Sequence, residues 1–311
     1  MTPMSVLRAA IAATLLAIAA PVPAGPAPRD GPGDYTFTLR HDGLERRYRV
    51  HVPARHDATK PAAMLVALHG GGGNMDYQAQ DGRYGLISKA DSAGFIAVFP
   101  NGTSRLRRGN FATWNAGNCC GHARDAGVDD VGFIREVVKD VSRRWNIDPQ
   151  RVFATGMSNG ALMAYRLACE ASDVFKAIAA VAGTDNTRRC SPSQPVSVLH
   201  IHAKDDSHVL FNGGAGPDSQ RLSVVTDFTS VPATVAKWVG LDGCPAAAQR
   251  VLEKPGAYCD LYAPCRGGSR VELCVTESGG HSWPGGTKPR ASEPPSQAIS
   301  ANDVMWAFFN P

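Results

Sequence analysis

Beyond its first two dozen residues the chain has no apolar run approaching the roughly 20 residues that a membrane-spanning helix needs. It has no CxxC and no HExxH, so the common zinc spacings are missing and no metal or other cofactor is expected. No glycine-rich segment ends in GK[ST], which leaves a nucleotide-phosphate loop without its lysine. Excess charge of one sign is also lacking. Thirty-two Lys and Arg stand against 28 Asp and Glu, a net charge of +4 over 311 residues. That balance gives no reason to expect a nucleic-acid partner, although it tolerates an anionic substrate. There is no internal repeat and no linker that would mark a second domain.

What is present begins with an export signal. Arg8 and the amino terminus are positive, Ala9 to Ala20 is apolar, and Pro21-Val22-Pro23-Ala24 supplies small residues. This reads as a signal peptide over 1–24, leaving 25–311 as a single exported domain with no membrane attachment. All eight cysteines follow Ala24, and in an oxidising compartment an even number reads as disulfides. Cys169 with Cys190, Cys244 with Cys274 and Cys259 with Cys265 are reasonable local pairings. Cys119 and Cys120 are adjacent, and their partners stay open.

The hydrophobic pattern alternates between strands and helices. Asp34 to Val52 reads as an antiparallel hairpin turning at His41-Asp42-Gly43. Continuous apolar runs at 61–68, 94–99, 151–155, 175–182 and 196–202 read as strands buried on both faces, with a last strand at 271–276. Helical periodicity covers 129–144, 159–169, 234–241 and 302–309, with Asp129 or Asp130 capping the first of these. Pro284 to Gln297 reads as a surface loop. Such alternation implies a mostly parallel sheet with helices on both faces, an α/β fold.

The most informative local feature is Gly156-Met157-Ser158-Asn159-Gly160, set between a strand and a helix. A serine on that sharp turn is pushed out of the sheet as a nucleophile, and larger residues at the flanking glycines would clash. A nucleophilic serine needs a base and a group to orient it, which in this arrangement follow in the order acid, then histidine. His281, in the glycine-rich loop after the last strand, is the candidate base. His200 and His202 lie in a strand and read as satisfied core histidines. Asp205 and Asp206 both follow that strand as candidate acids. Backbone N–H groups for an oxyanion are expected from Asn159 and from Gly71 or Gly72 within His69-Gly70-Gly71-Gly72-Gly73-Asn74.

At these residues the chain resembles the polyhydroxybutyrate depolymerase-like esterases, relatives of feruloyl and acetylxylan esterases. The resemblance extends to Thr113-Trp114-Asn115-Ala116-Gly117-Asn118-Cys119-Cys120-Gly121, Val128-Asp129-Asp130-Val131-Gly132-Phe133 and Gly280-His281-Ser282-Trp283-Pro284-Gly285-Gly286. It implies an α/β-hydrolase fold and extracellular cleavage of an ester in a polymer or its oligomers. It also places the acid on Asp206, because the family segment HGTxDxxVP aligns with His202 to Leu210. Ala203 and Leu210 depart from that segment.

Trp114 and Trp283 are candidate apolar platforms for substrate, and Arg105, Arg107 and Arg108 a candidate cationic track. Poly(aspartic acid) hydrolases resemble the same family, so amide hydrolysis in an anionic polymer is an alternative. An acyltransferase and a non-catalytic binding module are further ones. Without a surface-binding domain, soluble polymer or oligomer is the expected substrate. Activity is expected to rise as the base loses its proton, near the ordinary imidazole pKa of about 6.5.

Overall fold

The computed structural model describes residues 31–106, 109–220, 227–288 and 294–310. The expected signal peptide, Arg107 and Arg108 lie outside the described residues. The chain opens with the hairpin β1 (Gly33–His41) and β2 (Leu44–Val52), turning at Asp42-Gly43, where both residues have positive φ. Strand β3 (Ala62–Leu68) leads through the short helices α1 (Met75–Gln78), α2 (Asp81–Tyr84) and α3 (Leu86–Ala93) to β4 (Ile96–Pro100). Helices α4 (Gly121–Asp125) and α5 (Asp130–Arg144) precede β5 (Ile147–Met157), which runs into α6 (Asn159–Glu170). Then come β6 (Ala177–Val181), β7 (Ser197–Ala203), α7 (Pro217–Gln220) and α8 (Val231–Asp242). A second hairpin, β8 (Gln249–Lys254) and β9 (Ala257–Tyr262), precedes β10 (Val271–Thr276) and the closing helix α9 (Ala301–Phe309).

The ten strands of the described residues form one sheet in the order β1-β2-β4-β3-β5-β6-β7-β10-β9-β8. The six from β4 to β10 pair in parallel, and the two hairpins add antiparallel strands at the edges. Every residue of β3 is buried, and its side chains alternate between two cores. Met64, Val66 and Leu68 pack on the face covered by α5, α6 and α8, whereas Ala63, Leu65 and Ala67 face α3 and α9. This is why the parallel strands carry unbroken apolar runs instead of an alternating pattern. Parallel pairing also places the carboxyl ends of these strands along one edge, the place where sites form in such sheets.

Two of the expected disulfides differ. Cys169 pairs with Cys190 as expected, but Cys259 pairs with Cys274 and Cys244 with Cys265. The reason is the β9–β10 ladder, whose register sets Cys259 directly opposite Cys274, with Cα atoms 4.0 Å apart. Cys119 pairs with its neighbour Cys120, and no cysteine is left free.

Candidate active site

Ser158 stands where β5 gives way to α6, with φ 56° and ψ −123°, a left-handed conformation that is costly for a serine. The flanking glycines make it possible. A Cβ on Gly156 would lie 2.5 Å from the backbone of Gly160, and one on Gly160 would run into the carbonyl oxygen of Leu68. Ser158 N–H donates to Val181 O at 2.9 Å, which ties the turn to the end of β6.

Asp206 and His281 are brought together from the loops after β7 and β10. His281 Nδ1 lies 2.8 Å from Asp206 Oδ2 and 3.1 Å from Oδ1. A carboxylate only accepts, so the Nδ1 proton is on this side of the ring and Nε2 is free to act as a base. Asp206 is 2% exposed and also accepts from His208 N–H at 2.8 Å and Val209 N–H at 2.9 Å. Burial by itself would raise its pKa. The neighbouring His281 and the hydrogen bonds from His202 and His281 outweigh that and hold it well below the ordinary carboxylate range. Asp205, the other candidate acid, takes a different position. Its carboxylate accepts from Gly280 N–H at 2.8 Å and Gly279 N–H at 3.2 Å, so it anchors the backbone of the His281 loop.

Met157 and Ser282, the chain neighbours of Ser158 and His281, line one cavity of about 50 Å³ together with Tyr77, Tyr84, Trp283 and Lys288. Lys288 Nζ donates to His281 O at 3.0 Å. Trp283 is buried edge-on against Tyr84, and its indole donates to Asn302, so only a small part of it faces this cavity.

The glycine loop after β3 corrects two expectations. Gly72 N–H donates to Ala112 O at 2.9 Å, so that amide is committed to the fold and is not available to an oxyanion. Gly71 has no such acceptor among the described residues. It is exposed, and a Cβ there would be 3.5 Å from the Cβ of Asn159. Asn159 opens α6, where the first amides have no partner inside the helix. Trp114 is fully buried and is not a substrate platform. Its indole donates to His69 O at 2.9 Å, and its own N–H and C=O are clamped by the Asn159 side chain at 2.7 and 3.1 Å. It packs beneath the glycine loop and fixes it. His69, whose pKa burial pushes down to about 4, accepts from Gly102 N–H at 2.9 Å and bonds Gly70 O at 2.8 Å.

Arg105 is exposed, on a loop bordering a separate cavity to which Ser158, Asp206 and His281 do not contribute. Asp129 is the N-cap of α5, accepting from Gly132 N–H at 2.9 Å. Asp130 is buried, paired with Arg46 at 2.7 Å, and accepts from Asn115 N–H at 2.8 Å.

A family model described as Esterase PHB depolymerase matches residues 47–216. The chain belongs to this family. With it, the chain is placed among the carboxylic ester hydrolases. Feruloyl esterase B of Piromyces equi is 28% identical over 245 residues, which are 76% of this chain and 42% of that one, so this chain spans less than half of that relative. Feruloyl esterase C of Emericella nidulans is 31% identical over 215 residues, covering 67% and 73% of the two chains. Among solved structures, the acetyl xylan esterase from Aspergillus awamori matches with a TM-score of 0.59 at 14% identity, over 88% of this chain and 98% of that one. The shared architecture is of the α/β-hydrolase type.

Sequence reasoning missed several groups around this site. His208 stacks on His281, ring centroids 4.4 Å apart and planes 17° apart, and burial beside His281 pushes its pKa down to about 4. His200 and His202 are satisfied core histidines, as their strand position implies, but they form a chain that reaches the acid. His202 Nε2 donates to Val209 O at 2.9 Å and lies 3.3 Å from Asp206 Oδ2. Its Nδ1 then accepts from His200 Nε2 at 3.1 Å, and His200 Nδ1 accepts from the Tyr165 hydroxyl at 2.7 Å. Burial and the neighbouring His202 keep the His200 pKa well below the ordinary imidazole value. Their alternation along β7 is the only sequence signal for it.

Proposed function

We propose that this protein is an exported serine hydrolase that cleaves carboxylic esters borne on a polymer or its oligomers, through an acyl-enzyme on Ser158. Ser158 Oγ attacks the ester carbonyl as its proton passes to His281 Nε2, and the Gly71 and Asn159 amides hold the oxyanion. His281 returns that proton to the leaving alcohol, and water releases the acyl group by the same route. Asp206 orients His281 and remains ionised throughout.

The observations that carry this reading are the buried Asp206 carboxylate 2.8 Å from His281 Nδ1, Ser158 held at positive φ between β5 and α6, and the one cavity lined by their chain neighbours Ser282 and Met157. The aromatic-walled cavity next to Ser158 is the proposed acyl site. Feruloyl and acetyl groups, named in the relatives, are the acyl groups to try first. Export is supported by eight cysteines that all fall into pairs, a pattern of oxidising compartments.

The test is hydrolysis of short p-nitrophenyl esters, a feruloyl ester, an acetylated xylo-oligosaccharide and a hydroxybutyrate oligomer, each with Ser158→Ala alongside. Ester cleavage is expected, with kcat reduced roughly 10⁴-fold or more in the variant. Undiminished cleavage by Ser158→Ala would remove the serine from the mechanism.

A further inference from the structure

The segments leaving the carboxyl ends of β4 and β6 line a third cavity, of about 380 Å³, on the flank of α6. Arg124, Arg166, Arg188 and Arg189 line it, against the single acid Glu170. Arg166 belongs to α6 and lies eight residues beyond Ser158, a rise of about 12 Å along the helix. The cavity is therefore outside the triad but on an element that starts at the nucleophile.

The four arginines are not equivalent. Arg166 is fixed by a two-pronged bond to Glu170, at 2.9 and 3.2 Å, and by donation to Asn115 O at 2.6 Å. Arg124 is tied to Asp125 and to Asn118 O. Arg188 donates once, from Nε to Asn118 Oδ1 at 3.2 Å. Among the described residues neither Arg188 nor Arg189 has an ion pair, and both are exposed. Like charges gathered on one cavity repel, and a guanidinium keeps its full charge at any working pH. Anions presenting pairs of oxygens relieve that repulsion, because the planar guanidinium matches a carboxylate fork.

We propose that this cavity is a binding site for the carboxylates of an anionic polymer, holding the substrate chain at a distance from the ester under attack. The site rests on the polymer-ester reading above and narrows it to chains that carry acidic groups. Arg188 and Arg189 make the contact, while Arg124 and Arg166 form a positive wall already fixed by the fold. It also replaces the cationic track expected at Arg105, Arg107 and Arg108 by arginines from helices α4 and α6 and from the loop between β6 and β7.

The experiment is a binding titration of the full chain, read without turnover, so that failure of the triad and failure of this site are told apart. The probes are an oligogalacturonate (one carboxylate per sugar), a neutral xylo-oligosaccharide of equal length and inorganic phosphate. The oligogalacturonate is expected to bind more tightly than either control and to weaken as salt is raised. The double variant Arg188→Ala/Arg189→Ala, checked for an unchanged melting temperature, is expected to lose at least 10-fold in its affinity. Arg105→Ala is expected to leave that affinity unchanged. Equal binding of the acidic and neutral oligosaccharides would overturn the proposal, as would phosphate binding as tightly as the polymer. So would a loss of affinity in Arg105→Ala with none in the double variant.

Discussion

At the scale of single residues, the two adjacent acids after β7 separate cleanly. Asp206 meets the His281 ring, and Asp205 meets the backbone amides of Gly279 and Gly280. Residue type and order alone left both as candidates, because either carboxylate follows the strand at a suitable place. The geometry gives them different work. Asp206→Ala removes the group that sets the tautomer of His281 and is expected to lower kcat about 10⁴-fold. Asp205→Ala only loosens the loop that carries the base, so a fall of about 10- to 100-fold is expected, with some loss of stability. Kinetics of the two variants on one p-nitrophenyl ester checks this. A larger loss for Asp205→Ala than for Asp206→Ala would reverse the assignment.

At the scale of elements, the parallel strands and their helices were readable because burial on both faces leaves an unbroken apolar run. The strand at Gln249–Lys254 was not readable, because it is an exposed edge whose residues are mostly charged or polar. Missing that hairpin is also what misdirected the cysteine pairing, since only the β9–β10 register sets Cys259 against Cys274.

The loop carrying Trp114 shows a second limit. A tryptophan beside a catalytic motif reads equally well as a platform or as packing, and only its burial decides. Trp114→Phe keeps most of the packing but deletes the indole donor to His69 O. It is expected to cost about 1–3 kcal/mol of stability. It should lower kcat by a similar factor on every ester while leaving KM unchanged, because the effect passes through the glycine loop. KM shifts that depend on the acyl group would return Trp114 to the substrate.

At the scale of the whole molecule, buried histidines set a direction for acid sensitivity. His69, pushed down to about 4, and His200, pushed well below the ordinary value, stay neutral in the fold and titrate near 6.5 once unfolded. The unfolded chain therefore binds more protons as pH falls below 6.5, and stability drops with it. Asp242 works the other way. Burial raises its pKa to about 6, so its contribution is present below the unfolded carboxylate range and is lost as pH rises through 6. His208, also pushed down to about 4, adds to the two buried histidines, and between pH 7 and 5.5 they outweigh Asp242, so a net loss of stability is expected. Urea unfolding at the two pH values measures this, and greater stability at pH 5.5 would contradict it.

The proposed hydrolysis turns on the Ser158 acyl-enzyme, and covalent capture tests it most directly. The intact protein treated with a fluorophosphonate should gain a single adduct, which peptide mass spectrometry places on Ser158. The adduct should be absent from Ser158→Ala and much slower to form in His281→Ala. An adduct on another serine, or ester hydrolysis that persists once Ser158 is fully modified, would contradict the account.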